Sequence, residues 1–164
     1  MANEQLNAAD ILAVLYSRGD GETFHWTICL PISTRNAIKL HAKDPGLGHW
    51  FFEDPPPEDD LVGSNIVCAA VKIGKLAGDF DIASVKTILR AIPMEVPASD
   101  AEIEPRFSCR VWFKEAVRQL AYAGVITCTD VCALENECRE YARRNDASQV
   151  SYVGYTFYVS QYSS

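Results

Sequence analysis

The order of patterns along this chain predicts an α+β domain, a small antiparallel sheet with helices packed against it. Two observations carry that expectation. The first half holds short segments of alternating or continuous apolar residues, separated by tight turns, as strands joined by hairpins do. The second half holds three stretches with apolar residues at helical spacing, each preceded by a capping residue. With 164 residues, 48% of them hydrophobic, the chain is long enough for one core, and no repeat or linker divides it.

Taken in order, residues 1–8 read as a loose polar lead. Ile11-Leu12-Ala13-Val14-Leu15-Tyr16 is a short apolar run ended by the turn Ser17-Arg18-Gly19-Asp20-Gly21, which predicts a central strand. The Arg-Gly-Asp triplet in that turn resembles an adhesion motif, but a turn explains it. Residues 23–30 alternate, with His25, Thr27 and Cys29 on one face and Trp26, Ile28 and Leu30 on the other. Residues 37–43 alternate again and put Lys39, His41 and Lys43 together. Asp44-Pro45-Gly46 is a turn, and His49 to Phe52 reads as a further short strand. Residues 53–60 combine three prolines with five carboxylates, so an exposed acidic loop is expected there, one that would favour cationic or neutral substrates if it rims a cleft. Residues 65–76 read as a strand.

Asp81 caps an amphipathic helix through Ala91, and residues 95–106 form a loop leading into the next helix. That helix, 107–123, lines up Cys109, Phe113, Ala116, Leu120 and Ala123 on one arc, with Arg110, Lys114, Glu115, Arg118 and Tyr122 opposite. Ser108 is its N-cap candidate and Gly124 its stop. Asp130 caps a third helix running to about Arg144, and residues 150–159 read as a closing strand.

Composition excludes several function classes. The net charge is −7, from 22 acids and 15 bases, and no basic run occurs, which argues against a nucleic-acid or anionic-membrane surface. No stretch approaches the roughly 18 apolar residues of a membrane span, and residues 1–7 lack the pattern of a signal peptide. A cytoplasmic protein is expected, with its six cysteines as thiols. Cys128, Cys132 and Cys138 do not have zinc-site spacing and no histidine lies near them, so neither a metal nor a cofactor is expected.

Chemistry concentrates on few residues. Cys109 falls in the first turn of its helix, where unpaired N–H groups and the helix dipole stabilise a thiolate. The same position also suits a buried core cysteine. His25 and His41 are two of three histidines, sixteen residues apart on neighbouring strands. A nucleophilic thiol needs a base and a third group that holds the base in one tautomer, which makes Cys109, His25 and His41 the candidate catalytic set. Taken singly, each histidine reads better as a solvated or structural strand residue.

In this order, a strand with His25, a strand with His41, then Cys109 opening a helix, the chain resembles a permuted papain-like domain of the NlpC/P60 type. His25-Trp26, Leu40-His41-Ala42-Lys43 and Cys109-x-x-Trp112-x-Lys114-Glu115-Ala116 also resemble an uncharacterised family of small fungal proteins. The likeness covers roughly residues 10–123. It implies Cys109 as nucleophile, His25 as base and His41 as the orienting residue. The chain departs from it in having Phe107-Ser108, not asparagine, before the cysteine, and in lacking the hydrophobic tail of membrane-bound acyltransferase relatives.

The expected function is therefore a cysteine hydrolase or acyl transferase acting on an amide, isopeptide or thioester of a small-molecule or peptide-like substrate. Two alternatives stand beside it. One is a non-covalent binding or cyclising accessory protein of a biosynthetic pathway. The other is an inactive interaction module that uses the tyrosine-rich C-terminal strand as an edge.

Overall fold

The computed structural model describes residues 5–146 and 156–164. Strand β1 (Asp10–Ser17) is buried at every position but its last. Both its faces are covered: Ile11, Ala13 and Leu15 enter one apolar cluster, Leu12, Val14 and Tyr16 a second. A strand buried on two sides reads as a continuous apolar run, which is why residues 11–16 carry no polar break.

The chain continues through β2 (Phe24–Pro31), β3 (Asn36–Leu40), β4 (Ala42–Lys43), β5 (Phe51–Phe52), β6 (Glu58–Asp60) and β7 (Val67–Lys75). Then come α1 (Ile82–Arg90), α2 (Cys109–Tyr122), α3 (Val131–Arg144) and β8 (Phe157–Val159). The large sheet has the order β6-β3-β2-β1-β7-β8, while β4 and β5 form a separate two-stranded ladder. This is an α+β arrangement with β1 and β2 at the centre of the large sheet. All three helices contribute to the larger cluster, so they lie on one face; Leu6, Leu61 and Val62 cover the other.

Four expectations change. The sheet is mixed rather than antiparallel, because β8 runs parallel to β7, pairing Phe157 with Ala70. The three helices occupy the connection between those two strands, and a crossover of that length is what a parallel pair requires. The expected strand at 150–159 lies partly outside the described residues. The lead is not wholly loose: Leu6 is buried and its N–H donates to the Thr34 carbonyl at 2.9 Å. The acidic segment is not only loop, since Glu58–Asp60 pairs with β3 as an edge strand. Prolines are tolerated beside such an edge. Finally, the strand expected at 37–43 breaks at His41, where the chain leaves the large sheet for the β4–β5 hairpin. Among the described residues no helix is long and apolar enough to cross a membrane.

Candidate active site

Helix α2 starts where its sequence says it should. Ser108 is extended (φ −157°, ψ 172°), its hydroxyl accepts the Val111 N–H, and its carbonyl accepts the Trp112 N–H. The first N–H groups of a helix have no partner within it. Cys109 therefore occupies the first turn with its own N–H free of the helix ladder. The thiol is 2% exposed. Its Sγ accepts a hydrogen bond from Arg18 Nη2 at 3.1 Å and donates to the Phe24 carbonyl at 3.8 Å. It forms part of the floor of a cleft of about 360 Å³ shared with Arg18, Phe24, Arg106 and Ser108.

His25 and His41 are brought together. The β2–β3 ladder has Ile28↔Leu40 as its final pair, and beyond it the strands splay. The two imidazoles fill that gap, edge to face, with His25 Nε2 and His41 Nδ1 2.6 Å apart. The other side of His41 meets a residue not singled out above: Nε2 lies 2.6 Å from Glu53 Oε2. Glu53 was legible in principle. The hairpin pairs Ala42 with Phe52 and Lys43 with Phe51, so the next position opposite His41 is Glu53.

The carboxylate sets both tautomers. Glu53 only accepts, so His41 carries its proton on Nε2 and presents a bare Nδ1; His25 must then donate from Nε2, leaving its own Nδ1 as a free lone pair. Among the described residues no group hydrogen-bonds to that nitrogen. Burial, then the neighbouring His41 and the charges of Arg18, Lys39 and Lys43, lower the His25 pKa from 6.5 to about 3. Burial lowers His41 as well, against the raising effect of Glu53. Burial opposes the Glu53 charge, but the hydrogen bond from His41 and the Lys43 ammonium at 3.6 Å outweigh it and hold that carboxyl below its usual range. The result is a carboxylate and two neutral imidazoles in a row.

Cys109 and His25 are not hydrogen-bonded to each other. His25 sits directly across from Tyr16 on the sheet face of the smaller cluster, whereas Cys109 belongs to the cluster under α2 with Trp26 and Phe113. Arg18 is common to the two regions. It bonds the sulfur, its charge acts on His25, and it lines both the Cys109 cleft and a second cavity of about 630 Å³ that holds His25, His41 and Glu53.

Glu53 and Asp44 line that second cavity, and the other acids of the segment 53–60 are largely neutralised. Asp59 accepts from Tyr16 and Lys39, Asp60 pairs with Arg35, and Asp54 with Arg90. A second charged group was not visible from periodicity. Lys114, expected on the solvent side of α2, is 1% exposed and lies 3.0 Å from Asp100 and 3.3 Å from Glu104. Arg118 joins Asp100, and Arg110 joins Glu104 and Glu135. Those hydrogen bonds outweigh burial and keep Asp100 below its usual pKa; for Glu104 they are the largest influence, in the same direction. The network ties the loop before Cys109 to α2 and α3. Among the described residues no group of His, Cys, Asp or Glu is placed to hold a metal ion.

The chain belongs to a family of unknown function, DUF6914, whose model matches residues 11–157. No curated protein and no solved structure matches it.

Proposed function

We propose that this member of the family is a cysteine-nucleophile hydrolase or acyl transferase that works through an acyl-Cys109 intermediate on an amide, isopeptide or thioester. One observation carries the reading: a thiol in the first turn of a 14-residue helix, with a guanidinium 3.1 Å from its sulfur, on the floor of an open cleft. The succession of His25 strand, His41 and cysteine helix resembles that of a permuted papain-like domain, and we include that likeness in the proposal.

The chemistry runs as follows. Arg18, an exposed side chain, gives way, and the thiol proton passes through water, round the end of β2, to the free Nδ1 of His25. The thiolate attacks the acyl carbon, forming the C–S bond and moving the carbonyl electron pair onto oxygen. The Cys109 N–H and the Arg18 guanidinium donate to that oxyanion. Collapse breaks the bond to the leaving group, which takes the proton from His25. Water, or an acceptor nucleophile, then attacks the thioester, gives its proton to His25, and the proton returns to sulfur. His41 and Glu53 keep His25 in the one tautomer able to do this.

A second reading rests on the missing Cys109–His25 hydrogen bond: a binding or cyclising accessory protein that uses the histidine cavity without covalent chemistry. Labelling with iodoacetamide at pH 6, mapped peptide by peptide, separates the two. Cys109 should react ahead of the exposed Cys132, and Cys109→Ser should remove that signal while leaving the thermal midpoint nearly unchanged. A Cys109 that labels no faster than the buried Cys138 would overturn the nucleophile and leave the second reading.

A further inference from the structure

The charges around the Cys109 cleft do not balance locally. Four arginines line it, Arg18, Arg106, Arg110 and Arg139, against Glu22 and Glu104. Arg110 is committed to Glu104 and Glu135, and Arg139 to Glu135, with its guanidinium over the Trp26 ring. Among the described residues Arg18 donates only to the Cys109 sulfur, and Arg106 makes no ion pair or hydrogen bond. Among the described residues that line the cleft, this leaves two guanidinium groups against the exposed Glu22, in a protein whose net charge is −7. A guanidinium presents five donors in a fixed fork suited to carboxylate and phosphate oxygens. In the resting protein Arg18 spends one nitrogen on the sulfur, and its other donors stay available beside the position where an acyl group would sit, before and after it swings off the sulfur.

We propose that this cleft is an oxyanion-binding site, and that Arg18 and Arg106 select substrates carrying a carboxylate or phosphate group near the reacting acyl carbon. The substrate part rests on the thiol chemistry proposed above; the anion site does not. It also reverses the preference expected from the acidic segment 53–60, because that segment borders the other cavity and its carboxylates are mostly paired.

Two reagents of nearly equal size and different charge provide the test. Iodoacetate is anionic and iodoacetamide neutral, and both alkylate a thiolate by the same displacement of iodide. The rate ratio of iodoacetate to iodoacetamide at Cys109, divided by the same ratio for a neutral blocked cysteine amide, should exceed unity by about three- to tenfold at low salt. It should fall toward unity above about 0.5 M salt, where charges are screened within a few ångströms. Arg106→Gln should reduce the ratio by roughly two- to threefold and Arg106→Lys should keep most of it. A ratio at or below unity, or one that Arg106→Gln leaves unchanged, would overturn the proposal.

If neither reagent modifies Cys109, the thiol chemistry has failed, and the anion site is judged separately. The arginine Nε–Hε signals are then followed during titration with inorganic phosphate and, in parallel, succinate. Saturable shifts of Arg18 and Arg106 that Arg106→Gln abolishes would uphold an anion site, and the stronger of the two titrants names its chemistry. No shift with either anion would remove it.

Discussion

The histidine pair makes folding stability depend on pH with a sign and a size that follow from its surroundings. In the folded chain His25 takes up its proton at about 3, against 6.5 for an ordinary histidine. Between those values the unfolded chain binds a proton that the folded chain refuses. Stability therefore rises with pH across the window, is complete above about 6.5, and is lost as the pH falls toward 3. At roughly 1.4 kcal/mol per unit, the loss is about 2 kcal/mol by pH 5 and about 4–5 kcal/mol across the whole window. That is a sizeable share of the 5–15 kcal/mol typical of a domain.

The assay is urea unfolding followed by tryptophan fluorescence, with Trp26 and Trp112 as buried reporters, on wild type and His25→Gln from pH 7 to 4.5. His41 is present in both proteins but touches His25, so the difference reports His25 together with its coupling to His41. Asp100 and Glu104, both held below the usual carboxylate range, are present in both proteins and cancel in the comparison. Wild type should lose about 2 kcal/mol more than the variant between pH 7 and 5. A difference constant to within a few tenths of a kcal/mol would show that His25 accepts a proton freely in the folded protein, and the neutral relay would be wrong. Nitrogen chemical shifts supply an independent check: both rings should carry hydrogen on Nε2 and none on Nδ1.

Two further substitutions test the scaffold beneath the cleft. Lys114→Met removes the ammonium at the centre of the buried ionic network, yet Asp100 keeps Arg118, and Glu104 and Glu135 keep Arg110. The cost should be about 1–3 kcal/mol in urea unfolding, below the 3–5 kcal/mol of an orphaned buried charge; a neutral result would mean that the network adds nothing. Ser108→Ala removes the cap that accepts the Val111 N–H and should cost about 1 kcal/mol, with an altered labelling rate at Cys109. Unchanged stability and labelling together would show that the cap does not position the thiol.

How much of this was legible in the sequence differs by residue, and the reasons are physical. Helix α2 was readable because its cap, apolar arc and glycine stop are local signals that agree. The meeting of His25 with His41 was readable because two strands joined by a short turn pair antiparallel. Lys114 was not. Its helical position is on the polar side, and only the arrival of Asp100, Glu104 and Glu135 from elsewhere in the chain makes burial of an ammonium tolerable. Arg18 reads as part of a turn, since nothing local tells a solvated turn arginine from one that reaches a sulfur 91 residues away. The parallel placement of β8 depends on how the helices return the chain, which no local pattern encodes.

The relation of Cys109 to His25 is different again, because the sequence held the relevant information. Alternation in β2 puts Trp26, Ile28 and Leu30 on one face and His25, Thr27 and Cys29 on the other. An amphipathic helix packs its apolar arc against the apolar face, and Trp26 does meet Phe113 with ring centroids 5.1 Å apart. The cysteine on that arc therefore goes to the side of Trp26, and His25 projects from the other side. A thiol and a base on opposite faces can cooperate only at the end of a strand, where the chain between them is thin and a long side chain can span it. His25 is the second residue of β2, the Cys109 sulfur reaches the carbonyl of Phe24, the first, and Arg18 is one residue past the end of β1. Arg18 is thus the group on which the whole reading turns: its guanidinium connects the two faces, and its displacement is the step that a thiol mechanism here cannot do without.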